Sequence, residues 1–173
     1  MSDSPINEFY FEKEMLHAIR KAFKEQRRVA LQDFTKFSKN KLTSKWSDAY
    51  APDKYRFKTH AAIPLQQDIA MFVRMITGKT PLNQGVRRFS SGDYTILHDK
   101  EPQTPGIIAL LFLEDWNEQR GGKIILMKEG ETIASFTPQK NTLLIFERKN
   151  KERYFVKYVN HKAGKNTLTI ISG

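Results

Sequence analysis

Residues 88–127 read RFSSGDYTILHDKEPQTPGIIALLFLEDWNEQRGGKIILM. Strand-length runs rich in β-branched and aromatic residues, residues 94–98, 107–113 and 123–127, are set apart there by Ser91-Gly92-Asp93 and Gly121-Gly122. Short apolar runs bounded by glycine turns read as β-structure. The same texture extends outward. Residues 85–89 precede the stretch, and 131–136, 142–146, 154–159 and 167–171 follow it, with further turn signals at Glu129-Gly130 and Gly164-Lys165. Eight strands in this rhythm predict a two-sheet sandwich of the jelly-roll kind.

The preceding half has a different period. Phe9, Phe11, Met15, Leu16, Ile19 and Phe23 mostly recur at spacings of three and four, which predicts an amphipathic helix. Residues 28–34 read as a short strand, and 37–46 as a second amphipathic helix or a turn. Residues 48–60 read as a loop and then an exposed strand, in which Tyr55 and Phe57 alternate with Lys54, Arg56 and Lys58. Residues 64–77 predict a helix with proline at its start and Gly78 as its stop. The expectation is one α+β domain over residues 1–173. A helical layer occupies about 8–78, and a double-stranded β-helix, or jelly-roll, core about 85–173.

A chain of 173 residues, 39% hydrophobic with 12 phenylalanines, is large enough to bury a core without covalent staples. It has no cysteine, so disulfides and thiolate metal sites are excluded, and a metal would need His, Asp or Glu. Residues 1–7 are polar, and no apolar run approaches the roughly 20 residues that span a bilayer, so a cytoplasmic protein without membrane contact is expected. A net charge of +10 favours polyanionic partners such as RNA or the ribosome. No Ser-His-Asp order, phosphate-binding glycine loop or nucleotide fingerprint is present.

The quoted stretch, with its aromatic strand, Gly92-Asp93-Tyr94, a histidine four residues after the tyrosine, an apolar strand ending in Leu-x-x-Trp, and a Gly-Gly turn, resembles the prolyl-hydroxylase branch of the iron and 2-oxoglutarate dioxygenases. The helix ending at Gly78 fits the same layout. The resemblance covers roughly residues 28–173 and implies a double-stranded β-helix. It also implies Fe(II) held by two histidines and a carboxylate, with 2-oxoglutarate chelated beside it.

Carried over residue by residue, the pattern fails at several positions. The first histidine corresponds to His98, but the carboxylate two residues later corresponds to Lys100, with Asp99 and Glu101 on either side as substitute candidates. The second histidine corresponds to Tyr154, whose phenol is a poor iron ligand at neutral pH unless the metal lowers its pKa. The arginine that pairs with 2-oxoglutarate corresponds to Thr167, with Lys165 the nearest cation, while Tyr94 is a candidate wall of that pocket.

Two readings follow. In one, the fold persists without turnover and serves as a binding module, with no cofactor. Its polyanion or protein contact is then sought in the charge-dense region of Arg148, Lys149, Lys151, Arg153, Lys157 and Lys162. In the other, a divergent oxygenase uses Fe(II) and 2-oxoglutarate through His98 and a neighbouring acid to hydroxylate a protein or nucleic acid.

Overall fold

The computed structural model describes residues 4–42, 45–82, 84–96 and 104–173. Helix α1 (Lys13–Gln26) buries Ile19 and Phe23 and ends where Arg27 turns left-handed at φ 59°. Helix α2 (Pro64–Thr77) begins at its proline; Gln66 Oε1 accepts from the Ile63 N–H at 2.9 Å, reaching back over the first turn. It stops at Gly78, whose φ of 75° suits a residue without a side chain. Leu65, Ile69, Phe72 and Ile76 form the buried stripe that the 3.6-residue period dictates.

The strands are β1 (Arg28–Leu31), β2 (Ser47–Ala51), β3 (Tyr55–His60), β4 (Gly85–Phe89), β5 (Tyr94–Thr95), β6 (Gly106–Phe112), β7 (Ile124–Lys128), β8 (Glu131–Phe136), β9 (Thr142–Arg148), β10 (Glu152–Val156) and β11 (Leu168–Ser172). Among the described residues they make two antiparallel sheets. The larger runs β1-β9-β6-β11-β4-β3-β2, with β5 also on β3, and the smaller runs β10-β7-β8. This is a jelly-roll core.

The composition of β6 shows how the layers stack. Its sequence GIIALLF is apolar throughout because both of its faces are covered. Ile107, Ala109 and Leu111 join the core under α1 and α2. Ile108, Leu110 and Phe112 face the small sheet and join a second core with Leu126, Phe146 and Val156. At about 1.5–3 kcal/mol per fully buried large side chain, each core contributes much of the stability.

The N-terminal half departs from the expected helical layer. Residues 8–78 supply both helices, but also β1, β2 and β3, which extend the large sheet. Of the two alternatives for residues 37–46, the described part takes the turn: the 3-10 segment Lys39–Lys41 is capped by Ser38, and Leu42 is buried in the helix-side core. Residues 48–60 form a β2–β3 hairpin turning at Asp53, which adopts φ 58°. Among the described residues, no helix is long and apolar enough to cross a membrane.

Candidate functional site

The natural place for chemistry in a jelly roll is the space between its sheets. Here the described walls are mostly apolar, interrupted by Arg148 of β9 and by Arg87 of β4, which lies opposite Ile170 and over the Phe57 ring. On β10, Tyr154 stands opposite Leu126 of β7 and meets Phe146 of β9 edge-on, with ring centroids 5.6 Å apart at 82°. Phe136 of β8 stacks on Phe146 at 6.1 Å. Tyr154 is thus part of the packing between the sheets.

Strand β9 continues that wall for one more inward position. Leu144 and Phe146 face the small sheet, and period two brings Arg148 onto the same face. Arg148 is only 5% exposed; its guanidinium lies 6.0 Å from the centre of the Tyr154 ring and donates to the Thr104 carbonyl. Burial lowers its pKa, with the nearby Tyr154 phenol pulling the other way. A guanidinium nevertheless stays charged at any physiological pH. The expected surface contact Arg148 is therefore an interior cation. Running the alternation of β9 two residues past Phe146 is the sequence signal that would have found it.

The other expected residues are dispersed. His98, Asp99 and Glu101, together with Lys100, lie outside the described residues. Among the described residues no group of three His, Asp or Glu could hold a metal. On β11, Leu168 and Ile170 face the small sheet, whereas Ile171 belongs to the helix-side core. Thr167, one position before Leu168, lines a different cleft together with Lys165. Tyr94 is paired with Arg56, the neighbour of inward-facing Phe57, and so lies on the outer face of the sheet, against Tyr158.

Of the remaining basic residues, Lys149 and Lys151 occupy the β9–β10 turn, and Lys151 pairs with Glu129 at 2.6 Å. Arg153 is half-buried on β10, Lys157 is exposed beyond that strand, and Lys162 is exposed in a 3-10 turn, His161–Ala163.

The cleft beside Thr167 has a volume of about 570 Å³ and also takes in Lys39, Glu114, Asp115 and Lys140. Glu114 is largely buried and accepts from both the N–H and the hydroxyl of Thr169, each at 2.7 Å. Desolvation raises its pKa, opposed by those hydrogen bonds and by Lys39 and Arg88. Nothing in the sequence singled Glu114 out, because its burial depends on β11 closing over it.

Residues 58–172 match the family model described as "oxoglutarate and iron-dependent oxygenase degradation C-term". The chain is 31% identical over 88 residues to the prolyl 3-hydroxylase OGFOD1 of Mus musculus, covering 48% of this chain and 16% of that protein. The Xenopus laevis protein of the same name is 32% identical over 92 residues, covering 49% and 18%. The chain thus spans less than a fifth of the length of these relatives. In fold it resembles a prolyl hydroxylase from Trichoplax adhaerens, solved in complex with a hypoxia inducible factor oxygen degradation domain peptide fragment. The TM-score is 0.70 at 14% identity, over 98% of this chain and 93% of that one. A Pseudomonas putida prolyl-4-hydroxylase gives a TM-score of 0.61 at 12% identity, over 91% and 96%.

Proposed function

Because the chain belongs to the oxoglutarate and iron-dependent oxygenase degradation C-term family, with a prolyl-hydroxylase-type domain, we propose that it keeps the fold without iron-dependent turnover and works as a binding module with a basic surface. The observation that carries this reading is the buried Arg148 guanidinium beside Tyr154, the residue at the second histidine position. The family's Fe(II) needs imidazoles and a carboxylate around a polar opening. The described walls offer a phenol, a fixed cation and aromatic rings in mutual contact, and they do not fit the metal. Lys100 at the carboxylate position adds a second cation in sequence, and Leu168 and Ile170 stand on the inward face of β11, the nearest inward cation, Arg87 of β4 opposite Ile170, being laid over the Phe57 ring.

The test is metal and co-substrate uptake. Anaerobic equilibrium dialysis with Fe(II) or Mn(II) should leave less than stoichiometric metal on the protein, and 2-oxoglutarate should give no succinate above the rate without protein. One tightly held ion per chain together with succinate formation would overturn the reading.

A further inference from the structure

Resting on the reading of a non-catalytic module, we infer that its partner is single-stranded nucleic acid, held on the outer face of the β2–β3–β5 region. The register decides which side chains share that face. Phe57 of β3 points between the sheets, so its neighbours Arg56 and Lys58 point outward. Cross-strand partners in an antiparallel ladder project to the same side. Tyr50 of β2 is opposite Arg56, and Tyr94 of β5 is opposite Arg56 from the other flank. Tyr158 continues the line, its ring 6.5 Å from that of Tyr94 and 33° from parallel.

The result is a transverse row, Tyr50–Arg56–Tyr94, stepping about 4.8 Å from strand to strand, which Tyr158 extends from the segment after β10. The row is open to solvent at its two ends and at Arg56, with Tyr94 half-buried between them. Tyr50 is 64% exposed, Tyr158 is 53% exposed, and the Arg56 side chain is 61% exposed. Beside it on the same face, Lys58 is opposite Arg88, whose guanidinium stacks 3.7 Å over Trp46.

Three tyrosine rings around one guanidinium, with Lys58 and Arg88 beside them, combine the stacking surfaces and the positive charge that hold a single strand. Asp93 and Asp48 each lie within ion-pair distance of one of these cations, Arg56 and Lys58 respectively, which holds them in place on the face. Ile96, 50% exposed two residues past Tyr94, is a single aliphatic side chain beside the row and makes no dry centre of the size a protein partner would need. A net charge of +10 supplies the long-range attraction. A duplex hides its base faces and could use only the cations.

The experiment is fluorescence anisotropy of the whole chain with labelled oligoadenylate and oligouridylate as RNA and as DNA, a hairpin duplex, and inorganic polyphosphate as competitor. Single strands of either sugar should bind more tightly than the duplex. Tyr158→Ala and Tyr50→Ala should each weaken single-strand binding by about 5- to 100-fold, the range for losing one stacked base. Tyr158→Phe should retain it. Both tyrosines are exposed, so thermal melts should match the parent. Equal binding of duplex and single strand, displacement by polyphosphate at equal charge, unchanged affinity in both alanine variants, or no binding at all, as a protein-binding face would give, overturns the proposal. Succinate formation measured on the same preparation reports separately on the non-catalytic reading, whatever the oligonucleotides do.

Discussion

The two faces of the large sheet use the same side chains to opposite ends. Against the inner face, Tyr154 of the small sheet and Arg148 of β9 lie together, one against Phe146 and the other 5% exposed, and their polarity is taken up by packing and by the Thr104 carbonyl. On the outer face, Arg56 lies beside Tyr94 and Tyr158 with most of its side chain in water. Tyrosine and arginine thus close one surface and furnish the other. The difference lies in what covers each face: the small sheet comes down on the inner one, and no described helix extends over β2, β3 and β5. In a sheet that has filled its interior, the surface left for recognition is the outside.

The largest effect expected from disturbing this contrast concerns metal on the inner face. A doubly charged ion about 6 Å from a guanidinium, at an effective dielectric constant of about 20, is repelled by about 5 kcal/mol, more than a thousandfold in affinity. Restoring the family's residue types with Tyr154→His and Lys100→Asp should therefore still give no tight Mn(II) site by calorimetry. Adding Arg148→Met, which keeps the bulk without the charge, should allow binding. Tight Mn(II) binding by the double variant would show that Arg148 does not set the electrostatics of the interior.

Next in size is the packing itself. Phe146 touches both Phe136 and Tyr154 and is 1% exposed, so it joins the two sheets. Phe146→Ala should cost about 3–5 kcal/mol in urea unfolding, the usual range for a buried phenylalanine. Tyr158→Ala on the outer face should stay within about 0.5 kcal/mol of the parent, as exposed substitutions do. Similar losses at the two positions would mean that the outer tyrosines are core residues and not a recognition surface.

How much of this was legible in the sequence follows from the range of the interactions. Helix α2 was readable residue for residue because its start and stop, Pro64 and Gly78, are local chemistry. The strands from β4 onward were mostly readable as short apolar runs between turns, although β10 is Glu152–Val156, two residues ahead of the expected 154–159, because the turn before it carries no glycine to mark its start. The β2 strand was not: Asp48 and Tyr50 are exposed at a sheet edge, and their conformation is imposed by pairing with β3. Nor was Arg148 readable as an interior residue. It stands at the head of a run of charges, and only contacts with Thr104 and Tyr154, distant in sequence or across a turn, take it inside. The anchor position on β11 shows the sensitivity of period two. The family resemblance points to Thr167, yet the inward series is Leu168 and Ile170, so a shift of one residue exchanges the faces.

The smallest effect separates the two buried charges on opposite faces. Glu114, on the outer side with Thr169, has a pKa raised by desolvation, whereas Arg148 cannot titrate in the accessible range. An unfolded glutamate releases its proton near pH 4.3, before the folded one does. Between those two pKa values the unfolded chain therefore binds fewer protons, and the contribution of Glu114 to stability falls as pH rises, levelling off above the folded value. Glu114→Gln removes this term. The stability of the variant relative to the parent should climb as pH increases from about 4.3 upward and be flat below it, measured as the difference between urea midpoints so that other carboxylates cancel. Arg148→Met should show no such slope. A difference for Glu114→Gln that is flat across the whole range would mean that the carboxylate is already solvated, with the cleft beside Thr167 open to water down to Thr169.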